Sequence, residues 1–78
     1  MEFTKYFKET RIRPDRASIK MDWIESTVLA PDVEKVQSDG RIRKWKKIFA
    51  ANNKYLRVVL LEDGITVHNA FFDRRFKE

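Results

Sequence analysis

The chain has no cysteine, one histidine, two glycines and two prolines in 78 residues. Each scarcity removes a class of chemistry. Without thiols there is no disulfide, no thiolate zinc site and no cysteine nucleophile, a composition that suits the cytoplasm. A single imidazole excludes a histidine-rich metal site within one chain. The carboxylates show no clustered ligand pattern, so neither a metal nor a cofactor is expected. Both glycines follow aspartate, in Asp39-Gly40 and Asp63-Gly64. No glycine loop is therefore left to cradle a phosphate, and no Walker, Rossmann or nucleophile-elbow motif occurs. Charges interrupt every long apolar window, which excludes a transmembrane helix, and the first residues lack the apolar run of a targeting peptide.

What the chain does contain is positive charge. Lys and Arg number 17 against 12 Asp and Glu, a net charge of +5. A small basic domain suits an anionic partner such as RNA or an acidic protein; a lysine-rich soluble surface is the plainer reading. The length fits a single domain over residues 1–78.

Residues 55–75 organise the rest. Two β-rich runs flank Asp63-Gly64, a strong hairpin signal that favours a type I′ turn. A two-residue turn sets Leu60 against Val67, Val58 against Asn69 and Leu56 against Phe71. The other face then holds Val59 with His68 and Arg57 with Ala70, so Arg57 and His68 share a side, roughly 7 Å apart. A one-residue slip would exchange every assignment.

Upstream, residues 18–30 read as the main helix. Ser18 is placed to cap it, Met21, Ile24 and Val28 form its stripe, Trp23 and Leu29 widen that stripe, and Pro31 stops it. Residues 33–38 and 41–50 read as strands around an Asp39-Gly40 turn. Asn52 and Asn53 suit a left-handed loop before the next strand. A tight loop there puts Phe49 and Trp45 on the core side and Ile48, Lys46 and Lys44 on the Arg57/His68 side, with Lys47 awkwardly among core residues. Three turns joining four strands after a helix imply an α+β fold, one main helix on a four-stranded antiparallel meander. Residues 1–17 suit either an extra N-terminal strand or a short helix.

This pattern resembles a family of small bacterial domains with a helix ending in proline, a Lys/Arg-rich strand, an LRVV strand and a final strand closing on AFxDR. Here these are the helix before Pro31, Arg41-Ile-Arg-Lys-Trp, Leu56-Arg-Val-Val and Ala70-Phe-Phe-Asp-Arg. The family is related distantly to the BrnT and RelE-type toxins, which cleave RNA without a metal. The resemblance implies a toxin-like endoribonuclease, or a domain bound by an acidic antitoxin-like protein. Family members commonly carry a histidine near the N-terminal arginine; the only histidine here lies in the last strand.

Metal-free RNA cleavage needs a base for the 2′-hydroxyl, cations for the charged phosphorane and an acid for the leaving oxygen. His68 is the only side chain that ordinarily titrates near neutrality. Arg57 and Arg74 suit phosphate oxygens, since guanidinium matches two at once. Lys46 adds charge, Asp73 is placed to orient an arginine, and Tyr55 offers a proton. Each has a plainer role, Arg57 as half of an ion pair and His68 as a surface residue. The run Arg41, Arg43, Lys44, Lys46 and Lys47 is a candidate RNA-binding strand, extended by Arg75. It reads equally as an edge strand kept soluble by its charges. A non-catalytic RNA-binding module is the alternative to the enzyme.

Overall fold

The computed structural model describes residues 1–77. The fold is α+β: a five-stranded mixed sheet with three short helices. The chain opens with strand β1 (Glu2–Phe3), helix α1 (Lys5–Thr10) and helix α2 (Pro14–Ala17). Helix α3 (Met21–Leu29) and strands β2 (Val33–Val36), β3 (Ile42–Ile48), β4 (Lys54–Leu60) and β5 (Thr66–Phe72) follow. The sheet order is β1-β5-β4-β3-β2. Strands β2 to β5 run antiparallel in chain order, and β1 joins β5 in parallel. Both structures open to residues 1–17 therefore form, a two-residue strand and short helices.

Local chemistry explains the element ends. Thr4 caps α1, its Oγ1 accepting from the Phe7 N–H at 3.1 Å. Pro14 starts α2 at the position where its missing N–H costs nothing. Ser18, expected to cap the main helix, instead ends α2. Helix α3 starts three residues later with Lys20 at its N-cap, because Ile19 turns inward and is almost fully buried. Ile24 and Thr27 face the core; Leu29 is exposed. Two lysines of β3 close the other end of α3: Lys44 Nζ donates to Val28 O and Lys46 Nζ to Ala30 O, both at 2.8 Å.

Two irregularities decide which side chains share a face. The first lies between β3 and β4, where Phe49–Ala51 form a 3₁₀ turn and Asn52 and Asn53 take positive φ. The resulting register pairs Ile48 with Lys54 and Trp45 with Arg57. This is an odd number of residues from the register of a tight loop, so β3 is turned over relative to that expectation. Ile48, Lys46 and Lys44 sit on the helix side, and Trp45 and Lys47 on the other, which removes the awkward placement of Lys47.

The second irregularity lies in β5. The β4–β5 loop is not a type I′ turn. Asp63 keeps negative φ, Gly64 alone is positive, and the Gly64 N–H bonds to Leu61 O at 2.9 Å. Asp63 Oδ1 accepts from the N–H groups of Ile65 and Thr66 and ties the loop down. Leu60 faces Val67, as the sequence suggests, but Val59 faces Asn69. His68 is the extra residue of a β-bulge. Beyond it the pairing is displaced by one: Val58 faces Ala70, Arg57 faces Phe71 and Leu56 faces Phe72. Phe71, expected in the core, lies on the opposite side, and Ala70 and Phe72 replace it.

The core fills the space between α3, α1 and one side of the sheet. Ile19, Ile24, Leu56, Val58, Leu60 and Val67 are buried there with Phe7, Ile48 and Ala70, and Trp23 and Phe72 pack at the margin. Burying each large aliphatic side chain contributes about 1.5–3 kcal/mol. The other side of the sheet carries no helix over β3 and β4, since α3 packs against both strands from the core side. No helix among the described residues is long and apolar enough to cross a membrane.

Candidate nucleic-acid interface

The helix-free side of the sheet is a ladder of cations and aromatic rings. Trp45, Arg57 and Phe71 lie directly across from one another on three strands. The Arg57 guanidinium sits over both rings, 5.6 Å from the Trp45 centroid and 5.1 Å from that of Phe71. Arg16, delivered by α2, lies over Phe71 at 5.2 Å and donates to Asn69 Oδ1 at 2.6 Å. At the other end Phe76 stacks flat on Trp45, centroids 4.6 Å apart, and meets the edge of Tyr55 at 5.0 Å. Lys47 lies over the Tyr55 ring at 5.6 Å. Cation–π contacts of this kind contribute about 0.5–2 kcal/mol each, most where water is excluded. Trp45 is only 4% exposed on a face without a helix, because Phe76 and Arg57 cover it.

Asp73 sets the electrostatics of this face. Its Oδ2 accepts from the Trp45 indole N–H at 3.0 Å and pairs with Arg57 at 3.6 Å, and its Oδ1 accepts from the Arg75 N–H. Burial works against its ionisation, but the bonds from Trp45 and Arg75 and the Arg57 charge outweigh that and hold the carboxyl below its ordinary range. The Arg57 guanidinium is pressed the other way. Burial, then the neighbouring Arg43 charge, lower its pKa against the pull of Asp73. Arg43 stands one pair along the ladder, opposite Val59. The Nε groups of both arginines are buried and make no hydrogen bond among the described residues. Two guanidiniums near each other, with a carboxylate paired to Arg57 alone, leave positive charge uncompensated.

His68 occupies a separate corner. Its Nδ1 bonds to Thr4 Oγ1 at 3.1 Å, and its ring stacks on Tyr6 at 4.9 Å. Burial, then the Arg41 charge, lower its pKa, so the neutral imidazole is favoured. The bulge that frees His68 from the ladder also sets Arg57 one residue further from it along β5, opposite Phe71 instead of Ala70. Arg74 is exposed beyond the far end of β5, several strand steps from His68. At about 3.3 Å per residue, His68 and Arg74 lie too far apart to hold one phosphate. Of the three residues expected at one catalytic centre, His68 bonds to Thr4, Arg57 pairs with Asp73, and Arg74 follows that carboxylate in the chain.

The basic strand divides similarly. Lys44 and Lys46 are committed to the α3 carbonyls on the core side, and Lys44 also pairs with Glu34 at 3.3 Å. Arg43 and Lys47 alternate with them and face the ladder, while Arg41 pairs with Asp39 at 3.8 Å. Arg75 is exposed in the turn after β5. Sequence reasoning missed Arg16, Phe71, Phe76 and Trp45 as parts of this surface. The interleaving of Arg43, Trp45 and Lys47 at period two was the one signal that pointed to it. Compared with protein-family models, with curated proteins and with solved structures, the chain matches none.

Proposed function

We propose that the protein binds single-stranded RNA across the helix-free face of its sheet. The observation that carries this reading is the pairing of Arg43 and Arg57, uncompensated positive charge set among Trp45, Phe71, Tyr55 and Phe76. Cationic grooves lined with rings suit unpaired strands, because the cations follow the backbone and every base has a face to stack. Phe76 takes the outermost place on Trp45 while Lys47 lies over Tyr55, so the ring offered to a base is Phe76. Fluorescence anisotropy with a labelled oligouridylate tests the proposal. Binding is expected to weaken steeply with salt, and Arg43→Ala to lower affinity and reduce the salt slope by about one. A flat salt response, or an unchanged slope in Arg43→Ala, rejects it. The acidic antitoxin-like partner implied by the resemblance would meet the same cations and compete with RNA.

One observation favours a second reading, metal-independent cleavage of the RelE/BrnT type. His68 is held neutral on a β-bulge beside Arg41, the protonation state a general base requires. In this reading His68 is the base and Arg41 the nearest phosphate contact, with Arg57 and Arg74 binding RNA elsewhere. Incubation with RNA in EDTA should then give products that disappear in His68→Ala. Intact RNA, or products that persist in the variant, removes the enzyme and leaves the binding module.

A further inference from the structure

A cleft of about 430 Å³ opens where α2 meets the C-terminal end of β5, lined by Asp15, Arg16, Ser18, Lys54, Phe71, Phe72 and Arg74. From its chemistry we infer that this cleft binds a phosphate monoester, the terminal phosphate of an RNA strand, rather than a base or an internal phosphate. The inference rests on the RNA-binding reading for the source of that phosphate, though not for the chemistry of the site.

Charge is the first argument. Three cations face one carboxylate in the lining. Asp15 is taken up by Arg16, 3.4 Å from its Nε. Lys54 and Arg74 make no ion pair or side-chain hydrogen bond among the described residues, and both are exposed. Two cations without a counter-ion match a monoester, which carries a charge of about −1.5 to −2 near neutral pH, better than a diester with a single charge. The Ser18 hydroxyl adds a neutral donor to the same wall.

The second argument is what the cleft cannot hold. Its rings already have partners: Phe71 lies under Arg16 and Arg57, and Phe72 lies under Lys54 and leans on Trp23. A base entering the cleft would have to displace a cation, so recognition there falls on charge and not on the nucleobase. The third argument is continuity. An adjoining depression of about 280 Å³ shares Lys54, Phe72 and Arg74 with the cleft and is bounded by Tyr55 and Phe76. A strand with a base stacked on Phe76 is led past Lys54 and Arg74 into the cleft, where its end would lodge.

The test compares one short oligouridylate carrying a phosphate at its 5′ end, at its 3′ end or at neither, alongside uridine monophosphate, by isothermal titration. One phosphorylated end is expected to bind about tenfold more tightly than the unphosphorylated oligomer, the effect of one or two charge-assisted hydrogen bonds. That gain should vanish in Lys54→Ala and Arg74→Ala. Arg43→Ala should lower the affinities of all the oligomers together, keep the gain and leave uridine monophosphate unaffected. Both cleft positions are exposed, so the variants are expected to fold as the parent, which circular dichroism checks. If no oligomer binds while uridine monophosphate does so through Lys54 and Arg74, the RNA reading fails and the monoester site stands. Equal affinities for phosphorylated and unphosphorylated ends, a gain that survives both substitutions, or no binding by any probe overturns the site.

Discussion

The Trp45 indole N–H and the Arg57 guanidinium converge on a single carboxylate oxygen, Oδ2 of Asp73, at 3.0 and 3.6 Å. Three strands are joined by that oxygen on the side of the sheet opposite α3. Removing the carboxylate leaves a partly buried guanidinium without a counter-charge and an indole without an acceptor. Asp73→Ala should therefore cost about 2 kcal/mol in urea unfolding. Asp73→Asn, which keeps an acceptor for the indole, should cost about half of that. A cost within 0.5 kcal/mol of zero for Asp73→Ala, the ordinary range of a surface substitution, would show that this junction is not stabilising.

The covering of Trp45 by Phe76 gives an optical readout. In a Trp23→Phe background Trp45 is the only indole. Phe76→Ala should shift its emission to the red and raise its quenching by acrylamide. Loss of the stacked pair should lower stability by about 1 kcal/mol. An emission maximum that stays where it was would mean that the ring does not shield the indole in solution.

Protonation of His68 should weaken the fold. Its pKa lies below the ordinary 6.5 because burial, then Arg41, disfavour the charged ring. The unfolded chain therefore binds the proton first as pH falls. The contribution of His68 is complete above 6.5 and is lost as pH drops through the lower folded value. The urea midpoint should fall between pH 7.5 and 5.5 in the parent and fall less in His68→Gln. Identical slopes in the two proteins would remove this coupling.

Lys44 and Lys46 belong to the helix end and not to the ladder. Lys44→Ala should cost about 1 kcal/mol through its lost bond to Val28 O. It should leave the salt slope of RNA binding unchanged, whereas Lys47→Ala should reduce it. A reduced slope in Lys44→Ala would move the RNA path to the core side of β3.

Gly40 is held by its backbone conformation, and an added methyl group would also have to push the exposed Glu62 side chain aside. The glycine φ is +91°, and a Cβ would stand 2.7 Å from Glu62 Cγ. Gly40→Ala should destabilise by at least about 1 kcal/mol, with the β2–β3 turn opening first in hydrogen exchange. An unaltered exchange rate there would contradict the strain expected of a side chain at this φ.

Much of the frame was legible in the sequence: the helix stopped by Pro31, the strands on either side of each Asp-Gly pair, the left-handed Asn52 and Asn53, and the pairing of Leu60 with Val67. Periodicity within a strand reports alternation, but the phase between strands depends on the connections. The 3₁₀ turn after β3 and the extra residue His68 each alter that phase by an odd number, and so turned over one strand and half of another. The ladder was hidden for the same reason. Its members are distant in the chain, Arg16 from Asn69 by 53 residues, and no local pattern brings them together. Sequence spacing placed Arg57 beside His68 on the assumption of an unbroken ladder, and the bulge moved the partner of Arg57 one residue further along β5.

The length of β5 is accordingly as constrained as its composition. A deletion of one residue at position 70, beyond the bulge, would displace the pairing by one, and everything from Phe71 to Asp73 would be inverted. Phe71 would then compete for the interior, Phe72 would be thrust into water, and Asp73 would point away from both Trp45 and Arg57. A frame-preserving loss of three bases, among the mildest genetic lesions, would dismantle hydrophobic interior and binding face together. Loss of His68, the surplus residue of the bulge, would straighten the strand with its pairings kept and leave both standing.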